Sequence, residues 1–90
     1  MIVEFSKKFD KDLDKLNHKP TIKKVLKAID EVEKAETIHQ ISNLKKLKGF
    51  EDTYRIRVGT YRIGLFVDVE SQQAFFARIL HRKDIYRFFP

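Results

Sequence analysis

Tyr54-Arg55-Ile56-Arg57-Val58-Gly59-Thr60-Tyr61-Arg62-Ile63-Gly64-Leu65 alternates apolar residues with basic or small ones on either side of a Gly-Thr pair, and its reading decides the fold. A period of two predicts two strands, and a two-residue Gly-X loop predicts a type II′ turn with positive φ at Gly59. Loop length fixes the register: Val58 opposes Tyr61, Arg57 opposes Arg62, and Arg55 opposes Gly64. Two arginines therefore face each other. Such a pair costs on the order of a few tenths of a kcal/mol unless an anion lies between them.

Following the chain outward, a turn at Glu70-Ser71-Gln72 leads to a third strand from about Gln73 to Arg82. With Phe75, Ala77, Ile79 and His81 directed to the core, Arg78 and Arg82 join the arginine face, an assignment that a bulge in this strand would reverse. All six arginines lie beyond Tyr54, and Lys83 is the only lysine there. A guanidinium fork suits the gripping of phosphate, whereas lysine mainly solubilises a surface. The strand positions of this face include one acid, Asp68, unlike the mixed signs of a merely solvating face. Clustered arginines with aromatics nearby are the footprint of phosphate-backbone binding.

Toward the N-terminus, Ile2 to Phe5 reads as a short strand and Ser6 as an N-cap. Phe9, Leu13 and Leu16 form the stripe of an amphipathic helix. Asn17-His18-Lys19 is a break, and Pro20 fits a first helical position. Ile22, Val25, Leu26, Ile29 and Val32 carry a second helix to about Ala35. The expected architecture is α+β, with the N-terminal strand and a helical hairpin packed on one face of a small antiparallel sheet. Thr37 to Lys48 fits either a short helix or an extended connection. Its lysines Lys45, Lys46 and Lys48 extend the basic surface if they point toward the arginines.

With 90 residues and a net charge of +6, the chain is expected to form one domain that binds an acidic partner: RNA, DNA or an acidic protein segment. The absence of cysteine excludes disulfides and thiolate chemistry. His18, His39 and His81 lack metal-ligand spacing, so no metal or other cofactor is expected. No apolar run is long enough to span a bilayer, which favours the cytoplasm and no membrane partner. Ser/His/Asp, Cys/His, paired-carboxylate and Gly-rich phosphate-loop constellations are missing. The remaining arginines, His81 and Tyr86 suit RNA cleavage, because attack of a ribose 2′-OH on its own phosphate needs orientation and charge stabilisation.

Leu47-Lys48-Gly49, the Tyr54 to Ile63 hairpin, and His81-Arg82-Lys83-Asp84-Ile85-Tyr86-Arg87 together resemble the RelE branch of the RelE/ParE toxin superfamily. The likeness extends over essentially the whole chain. It implies a RelE-like toxin of a type II toxin–antitoxin pair, partnered by a cognate antitoxin. Such a toxin cuts mRNA in the ribosomal A site and leaves a 2′,3′-cyclic phosphate. The resemblance also implies catalytic roles for Arg57, Arg62, Arg82 and Tyr86, with Tyr86 stacking on or orienting a base. Arg55, Arg78, His81 and Lys48 are the expected substrate-binding residues. The general base stays open, since arginine does not readily lose a proton and the alternation points His81 toward the core. A ParE-like toxin that inhibits DNA gyrase by protein contact is the alternative, and a simple nucleic-acid-binding module is a third.

Overall fold

The computed structural model describes residues 1–90. The elements in chain order are β1 (Ile2–Phe5), α1 (Lys7–Asp14), α2 (Lys19–Lys34), a 3₁₀ turn (Ile38–Gln40), β2 (Leu44–Lys46), β3 (Thr53–Val58), β4 (Tyr61–Asp68), β5 (Gln73–His81) and α3 (Arg82–Phe88). The strands form one sheet in the order β1-β5-β4-β3-β2. The β3–β4 hairpin has the register read from its loop, with Val58 on Tyr61, Arg57 on Arg62 and Arg55 on Gly64. Gly59 takes a φ of +61°, as the turn requires.

One expectation about the sheet needs correction. β1 does not pack on a face; it runs parallel to β5 as an edge strand, from Ile2 on Gln73 to Phe5 on Phe76, so the sheet is mixed. Its backbone completes the β5 edge, with the Ile2 N–H donating to Gln72 at 2.8 Å and the Ser6 N–H donating to Phe76 at 2.9 Å. Val3 packs against the core, and the Phe5 ring, 40% exposed at its margin, lies 5.3 Å from Phe76 and 5.5 Å from Phe9. The segment Thr37 to Lys48 realises both of its readings, a 3₁₀ turn and then a strand antiparallel to β3. Asn43, at a left-handed φ of +61°, reverses the chain just before β2.

Between Gly64 and Leu65 the β4–β5 register shifts, so Gly64 pairs with Arg78 and Leu65 with Phe76, leaving Ala77 as an extra residue. This bulge reverses the alternation halfway along β5. Ala74, Phe76 and Ile79 are the buried residues of the core face, while Phe75 is 38% exposed on the other face, beside Phe66. Phe75 is thus not the core residue its spacing suggested, and Ala77 packs on the opposite side with Leu80.

The helical hairpin covers the core face as predicted. Ser6 caps α1 by accepting the Phe9 N–H at 2.9 Å and ties it to β5 by donating to the Ala77 carbonyl at 2.7 Å. Phe9, Val25 and Val32 meet Ile56, Ile63, Leu65, Phe76 and Ile79 in one cluster. Each fully buried side chain of this size contributes about 1.5–3 kcal/mol relative to exposure, so this layer holds the sheet rigid.

α3 lies on the other face, anchored by Ile85 and Phe89 against Leu47, Phe66 and Leu80. Gly64 makes the seat for Phe89, since a Cβ there would stand 2.6 Å from the ring. The aromatic tail therefore divides into two classes. Ile85 and Phe89 are buried, whereas Tyr86 is 73% exposed and Phe88 52% exposed.

Candidate functional site

The hairpin places Arg57 and Arg62 side by side at its turn end, and Arg55 two residues back on the same face. β2 adds Lys45, which pairs with Arg55. The Arg62 Nη1 donates to the carbonyls of Gly59 and Tyr61, each at 2.9 Å, which folds its guanidinium over the turn. Arg57 is held from the other side by Asn43, whose carbonyl accepts the Arg57 N–H at 3.2 Å and whose Oδ1 is 3.5 Å from its Nη2. The Arg55 guanidinium lies 4.5 Å from the centre of the Tyr86 ring, a cation–π contact across to α3.

Arg82 reaches the same region by a different route from the one its alternation suggested. It is the first residue of α3 rather than a strand residue, and its backbone N–H donates to the Thr60 carbonyl at 2.8 Å. That bond pins the helix start to the hairpin turn. His81 caps the helix, with Nδ1 accepting the Lys83 N–H at 3.2 Å, while its ring meets Tyr61 edge-on at 5.7 Å.

Two adjoining open cavities result. One, of about 430 Å³, is lined by Asn43, Leu44, Lys45, Arg55, Arg57, Arg62 and Tyr86. The other, of about 710 Å³, shares Asn43, Arg57 and Arg62, and adds Arg82 and a face of α2 bearing Lys24, Lys27 and Glu31. Ion pairs within 4.0 Å occur only at Lys34–Asp30 and Arg78–Asp12, so Arg55, Arg57, Arg62 and Arg82 have no carboxylate partner. Glu31 is the only acid lining either cavity, and its carboxylate accepts the Ser42 N–H. Asp68, the acid at the far end of the face, lies six residues along β4 from Arg62, or about 20 Å in a strand. There it accepts the N–H groups of Ser71 and Glu70, and the Ser71 bonds chiefly hold its carboxyl below the usual range.

Three sequence-predicted residues fall outside this cluster. Arg78 is turned to α1 at the bulge, where Nε and Nη2 grip the two oxygens of Asp12 at 2.8 and 3.1 Å. Asp12 is 8% exposed and also accepts the Ile79 N–H at 3.1 Å, and its hydrogen bond pushes the Arg78 guanidinium further toward its charged form. Arg78 is therefore the anchor between α1 and the bulge, not a free member of the face. His81 and Lys48 line neither cavity. Lys48 lies past the end of β2, while Lys45 supplies the basic charge.

Sequence reasoning passed over Asp12, Asn43 and the α2 lysines. Asp12 had a signal: it shares the stripe of Phe9, Leu13 and Leu16, an acid on a face that is otherwise buried. Asn43 had only the turn propensity of a Ser-Asn pair.

Chemically, the cluster offers a row of permanently charged donors around an exposed ring, with no imidazole and no free carboxylate. It can hold a phosphate and its neighbour and stack a base. It can also stabilise a developing negative charge.

In sequence and in fold the chain is similar to several known proteins. The family described as the ParE toxin of type II toxin-antitoxin system, parDE, matches residues 3–86. Toxin RelE3 of Methanocaldococcus jannaschii is 43% identical over 93 residues that span the whole of both chains. A chain of the RelB-RelE antitoxin-toxin complex from Methanococcus jannaschii superposes with a TM-score of 0.78 at 38% identity, covering 96% of this chain and 98% of that one. The archaeal RelE-RelB complex from Pyrococcus horikoshii OT3 gives a TM-score of 0.74 at 25% identity, covering 90% and 93%.

Proposed function

The chain belongs to the RelE and ParE toxins of type II toxin–antitoxin systems, and from that membership we propose a RelE-type mRNA interferase: a ribosome-dependent endoribonuclease acting as one toxin domain over residues 1–90. The observation that carries the proposal is that Arg55, Arg57, Arg62 and Arg82, unpaired with any carboxylate, line two adjoining cavities, one of them shared with the exposed Tyr86. A surface built to meet another protein would tolerate mixed charge. A site for a phosphodiester favours this arrangement.

In the proposed reaction the ribose 2′-oxygen attacks the adjacent phosphorus and the P–O5′ bond breaks, giving a 2′,3′-cyclic phosphate and a 5′-hydroxyl. The 2′-OH proton passes to solvent and the leaving 5′-oxygen takes one up. Arg57 and Arg62 hold the non-bridging oxygens as charge accumulates on them, and Arg82 adds a third donor from the helix start. Tyr86, backed by Arg55, stacks a base and so fixes the sugar for in-line attack. Neither an imidazole nor a free carboxylate is assigned as base. The rate enhancement rests on orientation and electrostatics, and no cofactor enters.

We infer a cognate antitoxin as the protein partner, as in the RelB complexes of the solved relatives. No helix is long and apolar enough to cross a membrane. Because the matching family is described by its ParE members, a gyrase-directed toxin is the competing reading. Primer extension on mRNA after brief expression separates the two: cuts within translated codons support the interferase, and cleaved DNA trapped with gyrase in place of such cuts overturns it.

A further inference from the structure

We propose that one face of α2 continues the arginine site as a track for the phosphate backbone of the RNA strand flanking the cut, with Lys24 and Lys27 each meeting a phosphate beyond the scissile one. The proposal rests on the interferase reading and extends it to how the strand is held.

Lys24, Lys27, Ala28 and Glu31 recur at helical spacing on one face of α2 and line the larger cavity together with Arg57, Arg62 and Arg82. Five basic residues thus meet one acid there. That acid is already engaged, since Glu31 accepts the Ser42 N–H, and the neighbouring Asp30 is paired with Lys34 at 3.0 Å on the exposed side of the helix. Neither Lys24 nor Lys27 has a carboxylate within 4.0 Å. Ala28, a short side chain on the same helix face, also lines the cavity. Because the two cavities share Asn43, Arg57 and Arg62, a strand with its scissile phosphate at the arginine pair continues naturally into this groove. No aromatic residue lines the larger cavity, so it suits backbone rather than base recognition.

The test uses ribosomes programmed with a short mRNA, either unmodified or carrying one uncharged methylphosphonate at successive positions around the A-site codon. Lys24→Gln/Lys27→Gln keeps good helix formers at exposed sites, so the fold is retained. The double variant is expected to raise KM about fivefold to twentyfold with kcat nearly unchanged, as loss of two phosphate contacts requires. A methylphosphonate at one or two flanking positions should raise the wild-type KM similarly and have little further effect in the variant. Unchanged KM, or strictly additive effects of lysine and phosphate changes, overturns the track. If the variant instead weakens antitoxin binding while cleavage keeps its KM, the face belongs to a protein contact and the proposal fails. Absence of cleavage by the wild-type protein would instead remove the interferase reading itself, and the track with it.

Discussion

Arg57 stands directly opposite Arg62 at the turn end of the β3–β4 ladder, and neither guanidinium has a carboxylate within 4.0 Å. Like charges in that relation repel, and the protein relieves the contact only in part by folding Arg62 back on the Gly59 and Tyr61 carbonyls. An anion between the two would complete the arrangement.

Arg62→Ala should therefore remove function without removing the fold. Losing the two carbonyl contacts and relieving the repulsion act in opposite directions, so stability should change by less than about 1 kcal/mol. mRNA cleavage should fall about a hundredfold or more, as for loss of a transition-state donor. Thermal melting and growth inhibition measured on the same variant check both halves.

Tyr86 and Arg55 should act together. At 73% exposure, Tyr86 can be removed without unfolding the tail, whose anchors are Ile85 and Phe89. Tyr86→Phe should cleave nearly normally, while Tyr86→Ala should lose about tenfold to a hundredfold if stacking dominates. A Tyr86→Ala variant that melts far below wild type would instead make Tyr86 part of the plug.

Arg78 should behave as a structural residue. Removing its partner by Asp12→Ala leaves a largely buried guanidinium unpaired, at a cost of about 3 kcal/mol. Asp12→Leu combined with Arg78→Met should recover much of that loss, which equilibrium unfolding in urea would measure.

Gly64→Ala tests the seat of the tail. Its Cβ collides with the Phe89 ring, so Phe89 must leave or shift, at about 1–3 kcal/mol. Because α3 carries Arg82 and Tyr86, cleavage should drop along with stability, and proteolysis should open the C-terminus first.

Asp68 should add one pH-dependent contribution to stability. Its folded pKa is depressed, so its contribution is present above the unfolded carboxylate pKa and is lost as pH falls through the folded value. Asp68→Asn should accordingly be less stable than wild type at pH 7, and the gap should close in strong acid.

The hairpin was legible because two-residue alternation and a Gly-X loop leave one register, and both helices were legible from their apolar stripes. The bulge at Ala77 was not, because an extra residue leaves no mark on composition, and it moved Phe75 and Arg78 from their expected places. β1 was recognised as a strand, but its parallel pairing depends on a partner 71 residues away, Ile2 on Gln73, that no local pattern encodes. At the site, Arg55, Arg57 and Arg62 followed from register alone. Arg82 was reached by an alternation that took it for a strand residue and Tyr86 by the family resemblance, whereas the helix α3 that positions both was not anticipated.

Single-turnover cleavage of an A-site codon on programmed ribosomes, comparing wild type with Arg62→Ala, reads the role of the arginine pair directly. Wild type is expected to cut within the codon and leave a 2′,3′-cyclic phosphate end, and the variant to cut about a hundredfold or more slowly. No cut by wild type, or an equal rate from a folded Arg62→Ala protein, would contradict that role.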